Sequence, residues 1–61
     1  MKIVHEVGAK VFIIPLDYEG RVKSIWISML GVQYEVRYFH NGQENVVYFW
    51  GDELESMGGD K

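Results

Sequence analysis

The chain has no cysteine and a single proline in 61 residues. The first absence excludes a disulfide framework, a thiolate metal site and a thiol nucleophile. No apolar run approaches the roughly 20 residues that a membrane-spanning helix needs. The opening stretch, Met1-Lys2-Ile3-Val4-His5-Glu6, lacks the apolar core of a secretory signal, so a cytoplasmic location is expected. No window sustains a 3.6-residue apolar period, which leaves helix confined to a turn at Asp52-Glu53-Leu54-Glu55. A phosphate-binding glycine loop is missing too, because Gly58-Gly59 has no helix after it. His5 and His40 have no carboxylates at ligand spacing, and two imidazoles alone fall short of a zinc set. Ser24 and Ser28 have no partner base, and Asp52, Glu53 and Glu55 read as a solvated acidic turn. The expectation is a chain without catalysis, cofactor or metal.

What the chain does have is rings: two tryptophans, four tyrosines and three phenylalanines, in a composition that is 48% hydrophobic and 25% charged with a net charge of −3. That is a folding composition, at a length near the lower limit for a self-supporting core. One domain is expected over 1–56, with a flexible tail over 57–61. So small an interior holds few large side chains, so the question is which rings are left outside.

Gly8, Gly20, Gly31, Gly42 and Gly51 separate the β-rich runs Lys10–Ile14, Arg21–Ser28, Val32–Phe39 and Glu44–Trp50. Short strands at this spacing read as an all-β barrel or sandwich. The first strand is placed around Val11–Ile14, and Pro15–Glu19 is a loop. Asn41-Gly42 between two strand patterns predicts a type I′ hairpin, which needs positive φ at both central residues. A two-residue loop there sets His40 against Gln43, Tyr38 against Asn45, Arg37 against Val46, Val36 against Val47, Glu35 against Tyr48, Tyr34 against Phe49 and Gln33 against Trp50. Tyr34, Val36, Tyr38, Val47 and Phe49 then share the core face, and Gln33, Glu35, Arg37, Val46, Tyr48 and Trp50 the outer one.

For the preceding hairpin, a Leu30-Gly31 loop pairs Met29 with Val32, Ile27 with Tyr34 and Ile25 with Val36 on the core face. It pairs Trp26 with Glu35 and Ser24 with Arg37 on the outer face. Both hairpins agree on which face is inside, and a one-residue slip would destroy the agreement. For Val22 to point inward as well, a bulge is needed near Lys23 or Ser24. The interior rings are then Tyr34, Tyr38, Phe49 and Phe12.

The pattern Val7-Gly8-x-Lys10-Val11, Gly20-Arg21-Val22-x-x-Ile25, Tyr34-x-Val36-x-Tyr38, Asn41-Gly42 and Phe49-x-x-Asp52-Glu53-Leu54-Glu55 resembles the five-stranded SH3-like small barrels of the Tudor and KOW type. It is also similar to short uncharacterised proteins of phages and mobile elements. The resemblance runs from about position 7 to 55 and implies a barrel with a short helical turn before its last strand. That superfold hosts many functions, so function must be argued from sites.

Three surfaces are candidates. The first is the outer face, where Trp26, Tyr48 and Trp50, ringed by Gln33, Glu35 and Arg37, form an aromatic protein interface unless Met1–Val7 folds over it. Such residue types in such a patch mark interaction surfaces. The partner is another protein or a second copy, and the phage resemblance implies an acidic accessory or inhibitor protein. The second candidate is nucleic acid on Arg21, Lys23 and Arg37, as KOW-type relatives use, although nine carboxylates oppose six cations. The third is the Tudor-type aromatic cage, whose matching positions are Tyr18 with Phe39 or His40, and whose acidic anchor would be Asp17 or Glu19. Its set of rings is incomplete, so the expectation there is a ring packed on the rim.

Overall fold

A computed structural model of the chain describes residues 3–57. Five strands, β1 (Lys10–Ile13), β2 (Tyr18–Ser28), β3 (Gly31–His40), β4 (Gln43–Trp50) and β5 (Leu54–Ser56), follow one another with a 3-10 turn at Gly51–Glu53 before the last. All pairings are antiparallel, in one sheet of order β4-β3-β2-β1-β5. The sheet is not closed: β4 and β5 are its two edges. The expected tail begins at Met57, whose N–H donates to the Lys10 carbonyl at 3.1 Å and so continues the β5 edge. The rest of that tail, and Met1 and Lys2, lie outside the described residues. Among the described residues no helix is long and apolar enough to cross a membrane.

The Asn41-Gly42 hairpin forms as its sequence predicts. Asn41 and Gly42 have φ of 53° and 77°, and every expected β3–β4 pair, from His40–Gln43 to Gln33–Trp50, is present. The β2–β3 hairpin differs. Its loop is Met29-Leu30, and Gly31 opens β3 with φ 133°, so Ser28 faces Gly31, Ile27 faces Val32, Trp26 faces Gln33, Ile25 faces Tyr34 and Ser24 faces Glu35. The offset from the expected register is two residues. An even offset preserves strand parity, so Ile25 stays inward and Ser24 and Trp26 outward although the partners change. Met29, Ile27 and Val47, expected on the core face, are exposed, Met29 because it belongs to the loop. Glycine is favoured at this position because a φ of 133° is one that side chains rarely adopt; the Trp50 ring lies across it at van der Waals distance, 3.4 Å from where a Cβ would sit.

The expected bulge is present between Val22 and Ser24. It returns Val22 to the core, opposite Val36, although Ile25 also faces inward. Val11, Ile13, Val22, Tyr34, Val36, Phe49 and Leu54 are buried together, with Tyr18, Ile25, Val32 and Tyr38 packed against them. Phe12 does not join them. It alternates with the buried Val11 and Ile13, so strand parity sends it to the opposite face, between Glu19 and Glu55.

Two positions carry most of the local constraint. A Cβ on Gly20 would come within 2.7 Å of both the Arg37 carbonyl oxygen and Val36 Cγ1, so β2 approaches β3 there as only glycine allows. The N-terminal segment lies over Tyr34: the Val4 N–H donates to the Tyr34 hydroxyl at 2.9 Å, and the buried His5 ring meets Tyr34 edge-on at 5.1 Å. Among the described residues, the buried His5 Nδ1 has no hydrogen-bond partner.

Two stability measurements check these points. Gly20→Ala is expected to lose about 2–3 kcal/mol in chemical denaturation through overpacking against backbone; a loss below about 1 kcal/mol would mean that β2 and β3 are further apart. His5→Phe, which keeps the ring and removes the unpaired nitrogen, is expected to be neutral or stabilising. A loss above about 1 kcal/mol would show that the imidazole is hydrogen-bonded after all.

Candidate interaction surface

The outer face follows from Tyr34. With its side chain buried, the neighbours Gln33 and Glu35 point outward, and the register carries that parity to β2 and β4. The rows across β2, β3 and β4 are Arg21–Arg37–Val46, Ser24–Glu35–Tyr48 and Trp26–Gln33–Trp50. Sequence reasoning paired Trp26 with Glu35 and Ser24 with Arg37. In the structure Gln33 sits between the two tryptophans, and Glu35 is one row further along.

Trp26, Tyr48 and Trp50 are 55%, 45% and 38% exposed. Trp26 meets Tyr48 edge-on, with centroids 5.9 Å apart and planes at 72°, which suits the ring quadrupoles. A polar chain steers the indole: Trp26 Nε1–H donates to Ser24 Oγ at 2.8 Å, and the Ser24 hydroxyl donates to Glu35 Oε1 at 2.6 Å. Glu35 is thereby committed to holding Trp26 in place. Of the described N-terminal residues, Val4 and His5 lie against Tyr34, on the other side of β3, and Val7 lines a hollow with Arg21, Lys23 and Arg37.

The patch extends to residues that sequence reasoning did not include. Met29 and Leu30, the whole loop between β2 and β3, are 97% and 84% exposed; Ile27, which alternates with Trp26, is exposed on the opposite face. Two-residue hairpin loops favour glycine, asparagine and aspartate. An apolar pair at a turn is a local rule broken, and that was the available signal. It was lost because Gly31 drew the loop assignment one residue onward.

The cations occupy the other end of the same face. Lys10, Arg21 and Arg37 stand side by side across β1, β2 and β3, so Lys10 joins the expected pair of arginines in one row. Like charges directly opposite one another are unfavourable, and each here has its own acceptor. Lys10 Nζ is 3.4 Å from Glu19, Arg21 donates to the Gly8 carbonyl at 3.0 Å, and Arg37 Nε is 3.7 Å from Glu44. The Arg37 guanidinium also lies 6.0 Å from the centroid of the exposed Phe39 ring. Lys23, at the bulge, lines a shallow hollow of about 210 Å³ with Gly8, Arg21 and Arg37.

The rings proposed for a cage are otherwise engaged. Tyr18 stacks on Tyr38 with planes 26° apart, and its hydroxyl lies 2.6 Å from His40 Nδ1. Rings stacked on each other do not surround a cation, and Phe39 lies one residue along, on the opposite face from Tyr38. Among the described residues no group of three or more histidine, aspartate or glutamate side chains is placed to hold a metal. The chain matches no protein-family model, no curated protein and no solved structure.

Proposed function

We propose that this chain is a small, non-catalytic binding module that engages another protein through the outer face of its sheet. The observation that carries the reading is the exposure of Trp26, Tyr48 and Trp50 on adjacent strands, with Trp26 against Tyr48, and of Met29 and Leu30 in the loop that follows β2. A domain this small gains stability by burying such side chains, and here the sheet leaves them outside. Tryptophan and tyrosine are the anchors that dominate interface energetics, and Gln33, Glu35 and Arg37 stand beside them as polar groups able to set register on a partner. The partner surface that fits is an apolar hollow with a basic rim, since the chain carries −3. The SH3-like type implied by the sequence belongs to this proposal; five antiparallel strands with a 3-10 turn before the last support it, and the sheet that carries them is open. A role as an acidic accessory or inhibitor protein is the use that suits such a surface.

Trp26→Ala and Leu30→Asp test this reading together. Both side chains are exposed, so each variant is expected to lose less than about 1 kcal/mol of stability. Each should lose the protein that chemical cross-linking captures on the wild type, while Phe39→Ala keeps it. Capture unaffected by either variant, or a folding loss of several kcal/mol, would overturn the reading.

One observation favours a second reading, a nucleic-acid-associated module: Arg21, Lys23 and Arg37 are joined by Lys10 on the face that carries the rings. Backbone contacts to phosphate with base stacking on rings is an established mode for single strands. The pairing of Lys10 and Arg37 with carboxylates weakens it, because phosphate neutralisation supplies most of that affinity. Titration of single-stranded and duplex DNA at rising salt decides between the two. The protein-interface reading expects no tight binding at any salt concentration; tight binding that falls steeply with salt would replace it.

A further inference from the structure

The two edges of the sheet are unlike each other. β5 is three residues long and carries Glu55, a short charged edge of the kind that discourages pairing. β4 is eight residues long and pairs with β3 without a bulge; it has no lysine and no proline, and its only charged side chain is Glu44. Val46, Val47 and Tyr48 are all exposed on it, so apolar surface borders this edge on both faces of the sheet. None of the usual protections of a free edge is present between Asn45 and Phe49.

The hydrogen-bonding phase of β4 follows from its turn. A two-residue loop closes on a hydrogen-bonded His40–Gln43 pair, so the amides of Gln43, Asn45, Val47 and Phe49 face β3, and those of Glu44, Val46, Tyr48 and Trp50 face outward. Trp50 confirms the phase, because its N–H donates to Glu53 Oε1 at 2.9 Å instead of to β3. That carboxylate blocks the end of the edge and leaves Val46 and Tyr48 as the open donors of its apolar part.

We propose that the occupant of this edge is a second copy of the chain, its β4 pairing antiparallel with the first about a two-fold axis at Val47. In this register Val46 lies opposite Tyr48 of the other copy twice over, and Val47 lies opposite its own equivalent on the inner side. Aromatic against β-branched is a favourable cross-strand pair, and the paired part from Asn45 to Phe49 carries no charge. Beyond it Glu44 faces Trp50 of the other copy, whose amide Glu53 holds, which ends the seam there. The Val46–Tyr48 pairs contribute about four main-chain hydrogen bonds. The absence of charge from Asn45 to Trp50 keeps the −3 of each copy away from the junction. The dimer is a ten-stranded sheet that leaves Trp26 and the Met29-Leu30 loop of each copy free. The two proposals share Tyr48 and are told apart by Trp26 and the Met29-Leu30 loop, which only the protein interface uses, and by the Val46 amide, which only the dimer uses.

Sedimentation equilibrium from micromolar to millimolar concentration tests it. The wild type is expected to pass from monomer to dimer, with association strengthened by salt because both copies carry like charge. Val46→Pro removes an outward N–H and leaves the β3 ladder its bonds, so it should stay monomeric with an unchanged circular dichroism spectrum. If that variant fails to fold, Val46→Lys, a charge on the seam, is expected to give the same monomer. The chain has no cysteine, so Val47→Cys gives a clean second readout. At a non-hydrogen-bonded antiparallel pair the Cα atoms are about 4.5 Å apart, within disulfide range, and mild oxidation should cross-link it far faster than Val46→Cys. A wild type that is monomeric throughout, or a folded Val46→Pro or Val46→Lys that still dimerises, would overturn the proposal. Loss of the dimer in Trp26→Ala but not in Val46→Pro would also overturn it, and would move self-association to the aromatic face.

Discussion

Tyr34 lies where three parts of the chain meet. It is opposite Ile25 on β2 and opposite Phe49 on β4, and the N-terminal segment covers it, with the Val4 amide donating to its hydroxyl. It is the largest fully buried side chain. A ring of that size, with its hydroxyl satisfied, cannot be exchanged for either neighbour: Gln33 or Glu35 in its place would bury an amide or a carboxylate without partners. The inward direction of Tyr34 is therefore fixed. Because side chains alternate along a strand, fixing one fixes the outward direction of Gln33 and Glu35 and, through the pairings, of Trp26, Tyr48 and Trp50. The membership of the outer face is a consequence of how the core is filled.

The same constraint explains what was legible in the sequence. The β3–β4 hairpin was readable pair by pair, because Asn41-Gly42 determines the loop and the loop determines the register. The bulge was readable because Val22 and Ile25 could not both face inward without one. The β2–β3 register was not, because its loop is made of Met29 and Leu30, residues with no turn preference, next to a glycine that has one. Gly31 serves there as a strand residue lying beneath the Trp50 ring. Parity survived this two-residue error, so the membership of the outer face was legible while its neighbours were not. Phe12 was misplaced for a related reason: hydrophobicity alone does not show which side of β1 is inside, and the flanking Val11 and Ile13 occupy the core. The row of Lys10 beside Arg21 and Arg37 depended on the pairing of β1, which no turn signal of comparable strength specifies.

The outer face carries two kinds of chemistry along its length. At the Met29-Leu30 end it is apolar and aromatic, with Glu35 and Ser24 engaged in orienting Trp26. At the other end it is cationic, and Lys10 and Arg37 are paired with carboxylates while Arg21 binds a backbone carbonyl. Local pairing of this kind removes field without removing specificity, which suits docking on a protein better than tracking a polyanion. The unprotected β4 edge runs alongside both regions. A chain this short has little interior to spare, and its exposed rings and open edge suit a domain completed by its partners.

The account rests on the aromatic face being open to solvent in the free chain, and the fluorescence of Trp26 reports that directly. In a Trp50→Phe background Trp26 is the only indole, so acrylamide quenching in dilute solution measures its exposure alone. The structure predicts a red-shifted emission and quenching well above that of a buried indole, in keeping with a ring about half exposed. A blue-shifted, shielded indole in a monomeric sample would mean that the chain covers this face itself, and would contradict the account.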